Sequence, residues 1–255
     1  MITLNLHGHV AEIVLDRPKA HNALSTEMAA RLAATCAEVA DSAARAVVLS
    51  SSAERSFCVG ADLKERAAMT DDDLMRQRPV FRSAFGAVLN LPQPVVAAVH
   101  GFALGGGTEF ALCCDLVVAD PTAVFGLPEV GVGLVPAGGG TQLLQRRVGT
   151  ARAADLIFTG RKIGLDEAVA LGLVDRTAPE GGDREAALEL ASAIAANSPI
   201  ALRAAKRSLR HGASLDLAAA LDVEDAAWRT AALSGDRREG IAAFNEKRRP
   251  EWPGV

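Results

Sequence analysis

The sequence predicts an α/β core that gives way to a helical C-terminal region, and three observations carry that reading. Short apolar runs, alternating at 2–7 and 10–15 and β-branched at 46–51 and 94–99, are interleaved with longer helix-compatible segments. Glycine-containing loops follow apolar runs at 57–64, 101–109 and 125–141. Beyond PEGGDR (179–184), the one segment with the composition of a linker, the pattern is nearly all helix.

Taken in order, ITLNLH and VAEIVL flank Gly8 as a β-hairpin, and RPKAHNAL follows as a loop. Ser25 caps a helix running to about Ala44, with Glu27 well placed in its first turn. AVVLSS (46–51) is a strand, and SAERSFCVGAD leads into a glycine-containing turn. Thr70 and Asp73 have the spacing of a capping box that opens a helix to about Leu91, in which Pro79 predicts a kink. Pro94–Val99 reads as a buried strand that turns at Gly101 and reaches a short helix over Thr108–Leu112. DLVVAD (115–120) and VFG (124–126) read as short strands before a long loop, GLPEVGVGLVPAGGGTQ. Loops of that length in a compact domain tend to be functional. Helices are expected at 139–148, 150–158 and 166–171, a strand at Leu173–Thr177, and helices at 184–196, 199–211, 214–233 and 236–247. No sequence repeat is evident.

Composition narrows the function classes. The 255 residues are 49% hydrophobic and 23% charged, the profile of a soluble globular protein with ample core. A net charge of −4 gives no general attraction to nucleic acid or anionic membrane, and the absence of tyrosine argues against a base-stacking surface. Cys36, Cys58, Cys113 and Cys114 form no Cys-x-x-Cys pair, which suits reduced, buried thiols and a cytoplasmic setting. The first residues lack the basic and apolar regions of a signal peptide, and 94–118 is too often interrupted for a membrane span.

The chemistry concentrates in the glycine loops. Glycine-rich strand-to-helix turns often serve close packing alone, and GFALGGG lacks the dinucleotide-binding spacing. Yet Gly105–Gly107 leave backbone N–H groups uncovered where a helix begins, three residues from Glu109. Among Leu104, Phe110, Ala111 and Leu112, that carboxylate is poorly solvated and its pKa is expected to rise. Glu129 lies in a second apolar, glycine-rich loop, and paired carboxylates with separated pKa values perform acid–base work. The five histidines are scattered, so no metal site is expected. The basic stripe Arg203, Lys206, Arg207 and Arg210 reads as a solvated helix face.

Four segments in order resemble the crotonase (enoyl-CoA hydratase/isomerase) superfamily: FCVGADLK, GFALGGGTEFALCCDLVVA, FGLPEVGVGLVPAGGGTQLL and AFNEKRRP. The similarity runs from DRPKAHNAL to the last ten residues. It implies a ClpP-like α/β spiral of ββα turns over 1–195 and a helical oligomerisation region over 196–255, assembled as a trimer or a dimer of trimers. It implies acyl-CoA thioester substrates, with CoA part of the substrate and no metal or redox cofactor. By position, the oxyanion amides are those of Ala61 and Gly106, and the hydratase glutamates are Glu109, on the water, and Glu129, on the α-proton. Lys19, Ala20, His21, Ala61, Asp62, Leu63 and Lys64 match the CoA-contacting segments. Phe244 and Lys247 match residues that reach CoA from a neighbouring subunit.

ADLKERAAM, LIFTGR and FNEKRRP also resemble the methylglutaconyl-CoA hydratase branch. Some of its members bind RNA through a lysine-rich helix, whereas here STEMAARLAATCAEVADSAAR has no lysine, which argues against that partner. The reading is therefore a cytoplasmic enoyl-CoA hydratase. Its rivals are an enoyl-CoA isomerase, which often keeps only one of the two carboxylates, and a crotonase-fold binding protein without turnover.

Overall fold

The computed structural model describes all 255 residues. Two sheets organise the chain. The larger has strand order β1 (Ile2–His7), β2 (Val10–Leu15), β3 (Ala46–Ser51), β5 (Val95–Val99), β7 (Leu116–Ala119) and β10 (Arg176–Thr177). Only the β1–β2 hairpin is antiparallel there. The smaller runs β4 (Ser56–Cys58), β6 (Phe102–Leu104), β8 (Val124–Gly126) and β9 (Lys162–Gly164).

Successive strand pairs, β3–β4, β5–β6 and β7–β8, place one strand in each sheet, which is the spiral that the resemblance implies. This is a structural repeat without a sequence period. The first turn is followed by α2 (Leu63–Ala67) and α3 (Asp71–Leu89), the second only by α4 (Gly106–Cys113). The short strands β4, β6 and β9 lie in stretches read from sequence as loop or turn, because three residues carry too little periodicity to be seen.

The inner strands β2, β3, β5 and β7 of the large sheet are buried on both faces, and the period of two sorts their side chains. Ala11, Ile13, Leu15, Val47, Leu49, Ala97 and Val117 join the main core with α1 (Thr26–Ala40), α3 and α4. Val10, Val48, Val96, Ala98 and Val118 face α8 (Asp183–Ala195), which supplies Ala187, Leu190 and Ala191. Glu12 belongs to that second face and is fully buried; Arg184 of α8 meets its two oxygens at 2.6 and 2.7 Å, and Ser50 donates to it at 2.8 Å. Burial acts to raise the pKa of this carboxyl, but the bonds from Arg184, His7, Ser50 and Asn5 prevail and hold it at about 2.

Several sequence readings are corrected. PEGGDR is no linker: Gly181 N–H donates to Asp120 at 2.8 Å, and Asp183 is buried against His100. Helix α1 stops at Ala40 rather than Ala44, where the Ser42 hydroxyl takes the Val39 carbonyl and offers the chain a turn instead. Leu173 and Val174 are not strand; their N–H groups close the end of α7 (Leu165–Ala170) on the Ala168 carbonyl, leaving only Arg176–Thr177 to pair with β7. Pro79 lies inside α3 without ending it. The capping signals behave as expected: Ser25 Oγ accepts from Met28 N–H, and Thr70 and Asp73 form the reciprocal box.

Helices α5 (Gly140–Val148) and α6 (Thr150–Thr159) follow the long loop. The C-terminal helices are α9 (Pro199–Gly212), α10 (Leu217–Ala232) and α11 (Gly235–Glu246). No helix is long and apolar enough to cross a membrane.

Candidate active site

Two glycine turns meet at the site. Gly60, after β4, has φ +85°, and a Cβ built there would stand 3.0 Å from Gly106 N. Only glycine lets the loop that carries Ala61 come this close to the start of α4. The Ala61 segment is pinned from the other side, since Leu24 N–H donates to Gly60 O at 2.7 Å and Asp62 N–H to Leu24 O at 2.9 Å. Gly106 is the first residue of α4, so its N–H has no acceptor within the helix. Ala61 and Gly106 line one cavity, and neither N–H donates to a protein atom. Gly107 fixes the depth of α4: a Cβ there would lie 1.9 Å from the Cys58 carbonyl.

Glu109 sits one turn into α4 and is 3% exposed. Its Oε1 accepts the N–H groups of Gly138 at 2.6 Å and Gly140 at 2.8 Å. Burial raises its pKa, and the bonds from Gly140 and Gly138, with the Arg78 charge, oppose that rise. The glycine loop reaches Glu109 by packing on Phe85, which itself stacks on Phe110 at 4.3 Å. The Ala137 carbonyl of the same loop accepts from Arg78 at 2.8 Å.

Glu129 comes from a single 3-10 turn, Pro128–Val132. Its Oε1 hangs over Gly105, where a Cβ would stand 2.9 Å away, and its Oε2 is buried with no partner. Burial pushes its pKa up to about 7, with the Glu109 charge adding to the rise. Both glutamates line a cavity of about 300 Å³, walled by Leu74, Phe81, Phe85, Leu134 and Val135.

The whole chain therefore presents the spiral, the paired free amides and two carboxylates in one pocket. The family model described as enoyl-CoA hydratase/isomerase matches residues 5–254. The chain belongs to the enoyl-CoA hydratase/isomerase family. Among its relatives, a short-chain-enoyl-CoA hydratase of Clostridium acetobutylicum is 38% identical over 251 residues, covering 98% of this chain and 96% of the relative. A mitochondrial methylglutaconyl-CoA hydratase of Mus musculus is 38% identical over 245 residues, covering 94% of this chain and 78% of the relative. The crystal structure of an enoyl-CoA hydratase from Bacillus anthracis superposes with a TM-score of 0.97 at 40% identity, covering 100% of this chain and 99% of that one.

The family-derived residues fall into four groups. Ala61, Gly106, Glu109, Glu129 and Leu63 line the cavity, with Leu63 exposed at its rim. Lys19, Ala20 and His21 form a separate turn held by the buried Asn22, whose side chain accepts from Arg17 N–H and donates to Ser51 and Phe57. Asp62 is engaged structurally: it caps α2 through the N–H groups of Lys64 and Glu65 and pairs with Arg17 at 2.6 Å, while Lys64 is exposed. Phe244 lies on the last helix and Lys247 just past its end, and neither lines the cavity. Sequence reading missed Gly60, Arg66 and Arg78. The two-residue spacing of Gly60 before Asp62 in a loop was the available signal for the first; the arginines gave none, lying in helices whose inner face only the fold defines.

Proposed function

We propose that this enzyme adds water across the 2,3 double bond of an enoyl-CoA thioester. The observation that carries the reading is the unlike environment of two carboxylates in one cavity: Glu109 bonded by two backbone N–H groups, Glu129 with an unpartnered oxygen and a pKa near 7. Such a split assigns base and acid. Glu109 takes a proton from water as its oxygen bonds to the β-carbon. The electron pair of the double bond moves onto the thioester oxygen, where the Ala61 and Gly106 N–H groups receive the charge. Two preorganised donors of this kind contribute a few kcal/mol each. Glu129 then delivers its proton to the α-carbon, the enolate collapses to the 3-hydroxyacyl thioester, and Glu129 regains a proton from Glu109 through solvent.

No step calls for a metal or redox cofactor. Four buried free cysteines, three of them with thiols pushed up to about 12 by burial, suit a reducing cytoplasmic compartment. The test is a purified-enzyme assay with 2-enoyl-CoA and 3-enoyl-CoA substrates side by side. Hydration of the first at a kcat/KM well above isomerisation of the second is expected; isomerisation alone overturns the reading.

A further inference from the structure

One side chain touches both halves of the machinery without belonging to either. Phe85 lies on the buried face of α3 and is 5% exposed. Its ring stacks on Phe110 of α4 at 4.3 Å between centroids. Its other close neighbours are bare glycine backbones. A Cβ on Gly138 would stand 2.6 Å from Cε2 and Cζ of the ring, and one on Gly106 would stand 3.2 Å from Cζ. No side-chain carbon tolerates the first distance, and the second is tight, so one ring is pressed against two glycines from separate segments.

Those two backbones carry the chemistry. Gly106 offers its N–H to the cavity, and Gly138 donates its own to Glu109 Oε1 at 2.6 Å. Little else places Gly138. Its carbonyl meets Cys113 Sγ at 3.8 Å, and the Ala137 carbonyl before it accepts from the exposed Arg78 at 2.8 Å. Gly138, Gly139 and Gly140 bring no side chain of their own to hold the loop, and a run of glycines has the most backbone freedom to lose. A rigid wall is what confines it to one position. Glu129 is placed independently, over Gly105.

We infer that Phe85 is a positioning residue for hydration: its ring holds the Gly138 N–H on Glu109 and backs the Gly106 N–H, so that base and oxyanion donor keep one fixed separation. The inference rests on the proposed function, to which it adds a residue. The groups that face Glu109 are Glu129 from the 3-10 turn, Arg78 from α3, Cys58 from β4 and Cys113 on its own helix. Burial pushes both thiols up to about 12, so they stay neutral through the working range. Burial also raises the Glu109 pKa, and the Gly140 and Gly138 bonds, with the Arg78 charge, oppose that rise. Loosening the Gly138 bond removes one opposing contribution, so Glu109 then takes up its proton at a higher pH.

The test reads that titration directly. In full-length protein labelled with nitrogen-15 glycine, the Gly138 and Gly140 amide resonances report the ionisation of Glu109 over a pH series. Phe85→Leu is expected to raise their midpoint by about one pH unit, the size of one weakened charge-assisted bond. It should also lower kcat for 2-enoyl thioester hydration about ten- to a hundredfold, with KM changed by less than about twofold. Leu32→Ala truncates a buried side chain of α1; it should lower the melting temperature and leave the midpoint in place. Gly138→Ala pushes the loop off the ring from the other side, so it should reproduce the shift, read at Gly140, even where Phe85→Leu fails to fold. In the double variant the added methyl enters the space left by the smaller side chain, and part of the lost kcat should return. An unmoved midpoint in a folded single variant overturns the inference, as does an equal shift in Leu32→Ala or a double variant whose losses simply multiply. The two readings separate cleanly. A shifted midpoint in a protein whose wild type hydrates nothing keeps the positioning role and removes hydration, whereas wild-type hydration with an unmoved midpoint does the reverse.

Discussion

Glu129 and Glu109 meet the same cavity from different elements, and their surroundings set what each does with a proton. Glu129 must carry its proton to serve as acid, so its contribution is present below its folded pKa of about 7 and lost as pH rises through it. The expected kcat/KM for hydration falls about tenfold per unit above pH 7, and falls again at low pH as Glu109, the base, takes up a proton. Glu129→Gln should lower kcat by roughly 10²–10⁴ and abolish the upper limb, whereas Glu109→Gln should lower kcat comparably by removing the base. Initial rates of enoyl thioester loss over a pH series measure both. A glutamine variant with normal turnover would remove its residue from the mechanism. Gly106→Pro tests the oxyanion amide in the same assay, with an expected loss of about 10²–10³ in kcat in a folded variant. The two carboxylates were legible in the sequence because each stands alone among apolar residues and glycines. Their inequality was not, because it depends on Gly138 and Gly140 arriving at Glu109 from another loop.

At the scale of elements, the site depends on how closely helices approach strands. A Cβ on Gly107 would stand 1.9 Å from the Cys58 carbonyl, so Gly107→Ala must push α4 off β4. A cost of about 1–3 kcal/mol is expected, together with a drop in kcat, since Gly106 and Glu109 travel with that helix. Equal melting temperatures for variant and wild type would contradict the close approach. Helix α8 is fastened differently. His100 at the end of β5 places Nδ1 2.9 Å from Asp183 Oδ2 and Nε2 2.7 Å from the Ala53 carbonyl, two acceptors that both call for a ring N–H. The Asp183 bond raises the His100 pKa above its ordinary 6.5 against the opposing effect of burial, with Asp120 adding to the rise. Its stabilisation is therefore fully present below pH 6.5 and lost as pH rises through the folded value. The stability of the wild type should decline across that window, and His100→Gln should flatten the decline, as read by melting temperature against pH. A variant with the wild-type pH slope would assign the decline elsewhere. The fold class and the longer elements were readable from period and capping residues alone, as at Ser25, Thr70 and Asp73. What escaped was short or tertiary in origin: β4, β6 and β9 have three residues each, and Asp183 looks like linker until His100 is beside it.

The whole molecule exposes more apolar surface at its C-terminal end than an isolated domain usually does. Leu217, Leu221, Trp228 and Leu233 of the α10 region and Ile241 and Phe244 of α11 are exposed, with Trp228 at 67% and Phe244 at 83%. The end of α11 is nevertheless firmly built. Arg248 grips Glu239 at 2.5 and 2.9 Å, Trp252 Nε1 donates to the Ala196 carbonyl at 2.7 Å, and Gly254 N–H donates to Asp236 at 2.7 Å. Phe244 and Lys247 are thus held, both exposed, on an ordered scaffold. We propose that they meet a second copy, whose CoA site they complete within a trimer or a dimer of trimers. Deleting 236–255 would be an unclean test, because the same tail fastens α11 to the end of α8. Trp228→Glu instead places a charge on the exposed face without touching those fastenings. Light scattering should give a mass of three or six chains for the wild type and a smaller species for Trp228→Glu, with CoA-thioester binding weakened in parallel. Lys247→Ala should leave the assembly intact and raise KM more than it lowers kcat, because a point charge near a phosphate contributes binding and no chemistry. A wild-type monomer with full activity would show that each chain completes its own site.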